Sequence, residues 1–340
     1  MDRPRGCPGP DGAASSARAL RLVASDGEIL GPRRKAAVPV KAARLALSAD
    51  DSFDGAVGRI LGDCLDHFAA NIPALRQTGD AEAVHQLRVA LRRLRAFLGL
   101  LKRVVPANPE LASAATRARV IASALGEARD WHVLREGLER GPREFLRDEP
   151  GFFALLDAVE LRRLRAQEAA RAMIAAPTTQ QFVRELRGVI SRRAWRGGSR
   201  GLEEKGSARV FAAKALNRLH KRAVKSCEGV AALQPERRHR ARIALKKARY
   251  AAEFFESLFC RKAARAYLRG LASIQDLLGE DNDRRTAARL LTEITAEDAS
   301  PETLRAICFL RGWRAQAQQR DLIAMKESEK RLRRLKPFWR

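Results

Sequence analysis

The chain has 340 residues, 46% of them hydrophobic and 6% aromatic, which excludes a disordered basic tail and leaves enough apolar side chain for a sizeable core. Its 66 Lys+Arg against 40 Asp+Glu give a formal charge of +26 and a pI near 11.1. Self-repulsion on that scale predicts a polyanionic partner: DNA, RNA, an anionic membrane surface or inorganic polyphosphate, against the plainer reading of charges that are merely solvated.

Ala, Leu and Arg dominate and strand-forming runs are scarce, so an all-α fold is expected. Residues 1–50 are rich in Gly, Pro and Ala and read as a poorly ordered extension with one hairpin in ALRLVASDGEILG. Helical spacing begins at Ser52, and Pro73 is expected to end that first helix. Asp80 then caps AEAVHQLRVALRRLRAFLGLLKRV, Ala81–Val104, which Pro106 and Pro109 close. A helix from Glu110 to Leu125 is expected to stop at Gly126, with Asp130 capping a further one to Leu138. Helices follow at 151–175 and 178–195, then a Gly/Ser-rich linker from Arg196 to Ser207. Further helices are expected at 208–232, 237–259, 283–295 and 301–325, before a basic, frayed end.

Two of these stretches repeat. His85, Arg88, Val89, Ala90, Leu91, Arg92, Arg93 and Arg95 match His239, Arg242, Ile243, Ala244, Leu245, Lys246, Lys247 and Arg249, an offset of 239 − 85 = 154. LGEARD at Leu125–Asp130 returns as LGEDND at Leu278–Asp283, an offset of 278 − 125 = 153, which His67 and His220 also keep. Two ordered motifs at nearly one offset predict an internal duplication, with halves at 51–196 and 207–340.

On a helix, Arg92 lies about 20° from His85, Arg88 about 60° and Arg95 about 80°, while Leu87, Leu94, Phe97 and Leu98 face the other way. Arginine offers planar paired donors that suit phosphate oxygens, and lysine a point charge. Neighbouring cations depress a histidine pKa, and a bound polyanion raises it again. No metal is expected, because Arg88 and Arg242 stand where a second ligand would have to be. The acids Glu127, Asp130, Glu280, Asp281 and Asp283 read as caps before they read as catalysts, and no nucleotide, hydrolase or metalloprotease motif is present. No cofactor and no enzymatic activity are expected. Cys7, Cys64, Cys227, Cys260 and Cys308 form no CxxC pair and read as buried small hydrophobes in a reducing compartment. No apolar run is long enough to span a bilayer, so a cytoplasmic protein is expected.

VHQLRVALRRLRAFL, LGEARDWHVL, HRARIALKKARYAAEFF, IQDLLGEDND and FLRGW, taken together, resemble a CHAD (conserved histidine α-helical) domain over most of the chain from Ser52 onward. The resemblance implies two pseudo-symmetric helical bundles around a basic central cleft, binding of inorganic polyphosphate and association with polyphosphate granules. Carried over by position, the ligand contacts are His85, Arg88, Arg92, Arg93 and Arg95, then His239, Arg242, Lys246, Lys247, Arg249 and Tyr250, with Lys102 and Arg129 as additions. Similar proteins often carry a CYTH domain with an E-x-E-x-K strand. No such strand is present, so triphosphatase activity is not implied, and SDGEILGP resembles a worn linker remnant. The alternative is a nucleic-acid-binding protein, which the scarcity of aromatics for stacking disfavours.

Overall fold

Ser52 opens the helical region. Its backbone is extended and its Oγ accepts from the Gly55 N–H, satisfying a donor that a first helical turn leaves free. The computed structural model describes residues 37–105, 107–196, 206–296 and 300–340, without the side chains of 314–320. The expected hairpin, and the linker between its ends, lie outside the described residues.

Helix α1, Phe53–Thr78, runs straight past Pro73. An interior proline costs roughly 3 kcal/mol. Buried Asn71, Ala74 and Leu75 around it offset that cost, and the helix stops at Gly79, where φ is 66° and glycine is favoured. Asp80 then caps α2, Ala81–Leu101, its carboxylate accepting from the Glu82 N–H at 2.6 Å.

Helix α3, Pro109–Arg140, is unbroken over 32 residues, so Gly126 is no stop and Asp130 no cap. A glycine inside a helix costs about 1 kcal/mol relative to alanine. Leu125, Ala128, Trp131 and Leu134 are all buried, and each large side chain so placed contributes about 2 kcal/mol, so packing wins. After the short α4, Pro142–Phe145, come α5, Pro150–Ala175, and α6, Pro177–Ser191, each opened by a proline whose missing N–H is no loss there.

The second series begins with α7, Ala208–Ser226, which ends earlier than expected: Gly229 takes φ 63° and a 3₁₀ turn follows at Val230–Ala232. Helix α8 spans Pro235–Phe255. Helix α9, Arg261–Thr295, passes through LGEDND without a break, as α3 passes through LGEARD. Helix α10, Pro301–Arg333, continues beyond Met325. The end of the chain is not frayed. Phe338 and Trp339 are buried, and Trp339 packs edge-on to Tyr267 at 5.1 Å.

The chain is all-α among the described residues, with one isolated backbone bridge between Ser52 and Ser207. Helix α1 packs on α2, α2 on α3 and α3 on α5; α7 packs on α8, α8 on α9 and α9 on α10. The two series meet through α1 with α7, α2 with α8, α3 with α9 and α5 with α10. Where α2 meets α8, the rings of Phe97 and Phe254 lie edge-to-face with centroids 5.5 Å apart.

The expected looseness of the first 50 residues does not extend to 37–50. The Val40 N–H donates to Asn71 Oδ1 at 2.9 Å, its carbonyl accepts from Asn71 Nδ2, and Leu47 is buried with its N–H on Ser257 Oγ. Among the cysteines, Cys64 and Cys227 are buried, but Cys260 and Cys308 are exposed, and Cys7 lies outside the described residues. No helix among the described residues is long and apolar enough to cross a membrane.

Candidate functional site

Helix α2 buries Leu87, Ala90, Leu94 and Phe97, which leaves His85, Arg88 and Arg92 half-buried along its other side. Helix α8 does the same with Ala241, Leu245, Ala248 and Ala252, leaving Arg242 and Lys246 half-buried. Because the two helices pack on each other, the four cations Arg88, Arg92, Arg242 and Lys246 share one neighbourhood, with Arg129 of α3 beside Arg88.

Burial and crowding act on them together. The Arg88 guanidinium is brought down to about 10, first by burial, with Asp130 opposing and Arg92, Arg129 and Arg242 adding to the drop. Lys246 is brought down to about 7, first by burial and then by Arg92 and Arg242, against the pull of Asp283. Arg242 is lowered by burial, with Asp283 opposing. The Nε atoms of Arg92 and Arg242 are buried without a hydrogen-bond partner.

The acids of the repeated turn motif have a role that capping does not describe. Asp130 of α3 lies 4.0 Å from Arg88 Nη2 and 3.9 Å from Arg289 Nη2. Burial raises its carboxyl, and Arg88 and Arg289 draw it back. Asp283 of α9, at the matching position, faces Arg242 and Lys246. Each carboxylate is thus the counter-ion of the arginine that follows the histidine by three. Gly126, in the same motif, makes room for Arg88: a Cβ there would stand 2.7 Å from Arg88 Nη1.

The histidines lie beside the fifth residue of that motif. His85 is half-buried near Arg129, and its pKa is lowered first by burial and next by Arg129. His239 is exposed, with Nδ1 3.1 Å from Asn282 Oδ1.

Other residues expected at the site stand elsewhere. Arg93 is a core residue: its side chain is 4% exposed, lies 2.9 Å from Asp63 Oδ2 on α1 and covers the Phe254 ring at 5.1 Å. Its neighbour Arg92 is 100° further round the helix, and only Arg92 joins the cluster. Arg249 donates from Nε to Glu253 Oε1 at 2.8 Å, one turn along its own helix. Tyr250 packs against the core within reach of Arg242. Arg95 and Lys247 are exposed and neighbour each other, beyond Lys246. Lys102, at the C-cap of α2, is exposed and has no contact with the cluster among the described residues. Sequence reasoning missed Asp130, Asp283 and Arg289 as parts of this cluster. The repetition of the motif was the signal for the two acids, and nothing in the sequence marked Arg289.

Among the described residues no three His, Cys, Asp or Glu side chains are grouped to hold a metal ion. The model of the CHAD domain matches residues 59–292. The chain belongs to the CHAD domain family. This CHAD domain is similar to the crystal structure of the CHAD domain from the plant Ricinus communis, at 32% identity and a TM-score of 0.73, over 86% of this chain and 96% of that one. It shares its fold with PptA from Streptomyces chartreusis, at 17% identity and a TM-score of 0.60, over 84% of this chain and 100% of the other. No curated protein matches.

Proposed function

We propose that this CHAD domain binds inorganic polyphosphate without transforming it, in a basic cleft between two duplicated helical halves. The observation that carries the reading is the meeting of Arg88 and Arg92 from α2 with Arg242 and Lys246 from α8 in one half-buried neighbourhood. Two cations from each half can grip consecutive phosphates of a chain with no shape-specific pocket. Duplication is supported by packing. The helices that the sequence offset pairs, α1 with α7, α2 with α8 and α3 with α9, pack across the halves, as α5 does on α10, and the capping residues Ser52 and Ser207 form a bridge. The protein acts in the cytoplasm, at polyphosphate granules.

Competition tests the ligand. Long-chain polyphosphate displaces a labelled single-stranded nucleic acid at far lower phosphate concentration than the nucleic acid displaces polyphosphate. Equal displacement per phosphate would assign the cleft to nucleic acid instead. Incubation with polyphosphate and Mg²⁺ leaves the chain length unchanged on a gel.

Binding depends on pH through Lys246. It faces Arg88 and Arg92 from α2, Arg242 from its own helix and Asp283 from α9, and in the free protein it titrates at about 7. Bound phosphate favours the charged form and raises that pKa. Below pH 7 the Lys246 ammonium is already present and Lys246 takes up no proton, while His85, lowered by burial and by Arg129, is the group left to charge there. Above it, binding must take up a proton, so affinity falls from pH 7 to 9 by at most about tenfold per pH unit. Titration calorimetry in buffers of different ionisation heat reads that uptake directly, and Lys246→Arg removes it.

A further inference from the structure

Beyond Lys246 the far end of α2 carries a second group of cations. Arg95 from α2, Arg103 in the turn just past its end, Arg119 from α3, Arg218 and Arg222 from α7 and Lys247 from α8 are all exposed. Their helices pack in contact, α2 on α3 and on α8, and α7 on α8. Arg218 and Arg222 are one turn apart on a single face of α7. The group is close enough to act on itself: Lys247 is lowered by burial and then by Arg222, Arg103 and Arg95, Arg95 by burial and Arg119, and Arg218 by burial and Arg103.

What separates this group from scattered surface charge is that its members act on one another, with no acid among the charges that shift Lys247, Arg95 and Arg218. Some exposed arginines elsewhere find a carboxylate, as Arg59 does with Asp51 and Arg192 with Glu110, while others, such as Arg165 and Arg184, stand apart without one. Arg88 and Arg242 have Asp130 and Asp283. Among the described residues none of the six side chains has an ion-pair or hydrogen-bond partner. Six like charges from four packed helices repel one another, and an anion is what relieves them.

We propose that this second group is a continuation of the polyphosphate path, so that one chain runs from Arg88 and Arg242 past Lys246 to Arg103, Arg218 and Arg222. The proposal rests on the polyphosphate reading given above. The path is long. Arg88 to the end of α2 at Leu101 alone spans about 20 Å of helix axis at 1.5 Å per residue, with Arg103 just beyond, so short oligomers occupy the first group and only long chains engage both.

The test compares Arg218→Ala/Arg222→Ala with Arg184→Ala/Arg187→Ala, which removes the same charge from α6. Affinity is measured across salt concentrations for tripolyphosphate and for long-chain polyphosphate. The α7 variant is expected to lose about tenfold in affinity for the long chain and to flatten its salt dependence by about 1.4, two contacts at roughly 0.7 each. Its tripolyphosphate affinity, and both affinities of the α6 variant, stay within twofold of the native protein. Unchanged long-chain binding in the α7 variant would overturn the proposal, as would equal losses in the two variants or an equal loss for tripolyphosphate. The polyphosphate reading itself fails separately, if the native protein does not prefer polyphosphate to nucleic acid.

Discussion

Arg88→Ala, Arg92→Ala, Arg242→Ala and Lys246→Ala, combined in one chain, abolish polyphosphate binding while the helical circular dichroism stays native. A hydrogen bond to a charged group is worth about 1.5–3 kcal/mol, so four lost phosphate contacts remove roughly 6 kcal/mol or more, beyond four decades in affinity. The salt dependence flattens with it, by about 2.8 for four contacts. Stability is expected to hold or rise. Burial and mutual repulsion disfavour the charged forms of Arg88, Arg242 and Lys246, so their removal relieves more strain than it creates. Asp130 keeps Arg289 as a partner. If binding survives in the quadruple variant, the ligand lies on another face.

Arg93→Ala has the opposite profile. Arg93 and Asp63 are a buried pair, 4% and 16% exposed, at 2.9 Å. Removing one partner of such a pair costs about 3–5 kcal/mol, because the other charge is left without compensation. The loss here also includes the contact of the guanidinium with the Phe254 ring. Urea denaturation is expected to show a destabilisation in that range, and Arg93→Ala/Asp63→Ala recovers part of it. Polyphosphate affinity per folded molecule is unchanged. A fall in affinity with unchanged stability would return Arg93 to the ligand face. The two results separate neighbouring arginines that the sequence does not distinguish.

The helices and the repeated sequence motifs were legible because 3.6-residue periodicity and a double motif survive without knowledge of packing. Arg88, Arg92, Arg242 and Lys246 were legible for the same reason, since they share the angular sector of the histidines. Arg93 was not. It lies about 80° from His85 on the side opposite Arg95, and only the position of α1 decides that this sector is core. The turn motifs were misread because Gly126 and Asp130 carry stop and cap preferences worth about 1 kcal/mol each. Those preferences yield to a helix that is buried on both sides of them, as Leu125 and Trp131 show. Pro73 was misread likewise. The cations of α7 were invisible as a group because nothing local marks Arg218 and Arg222 as neighbours of Arg103 and Lys247.

The carboxylates opposite Arg88 and Arg242 bear on how the molecule lets go. A polymer held only by bare cations would leave behind an exposed, self-repelling surface at each step of release, and would be retained for that reason. On the proposed polyphosphate reading, Asp130 beside Arg88 and Asp283 near Arg242 would take over the arginines as each phosphate departs, so that detachment exchanges one anion for another. On that reading the near end of the proposed path favours turnover of its cargo and the far end, with no acid among its charged neighbours, favours retention, a polarity that would give a bound chain a loose end and an anchored one.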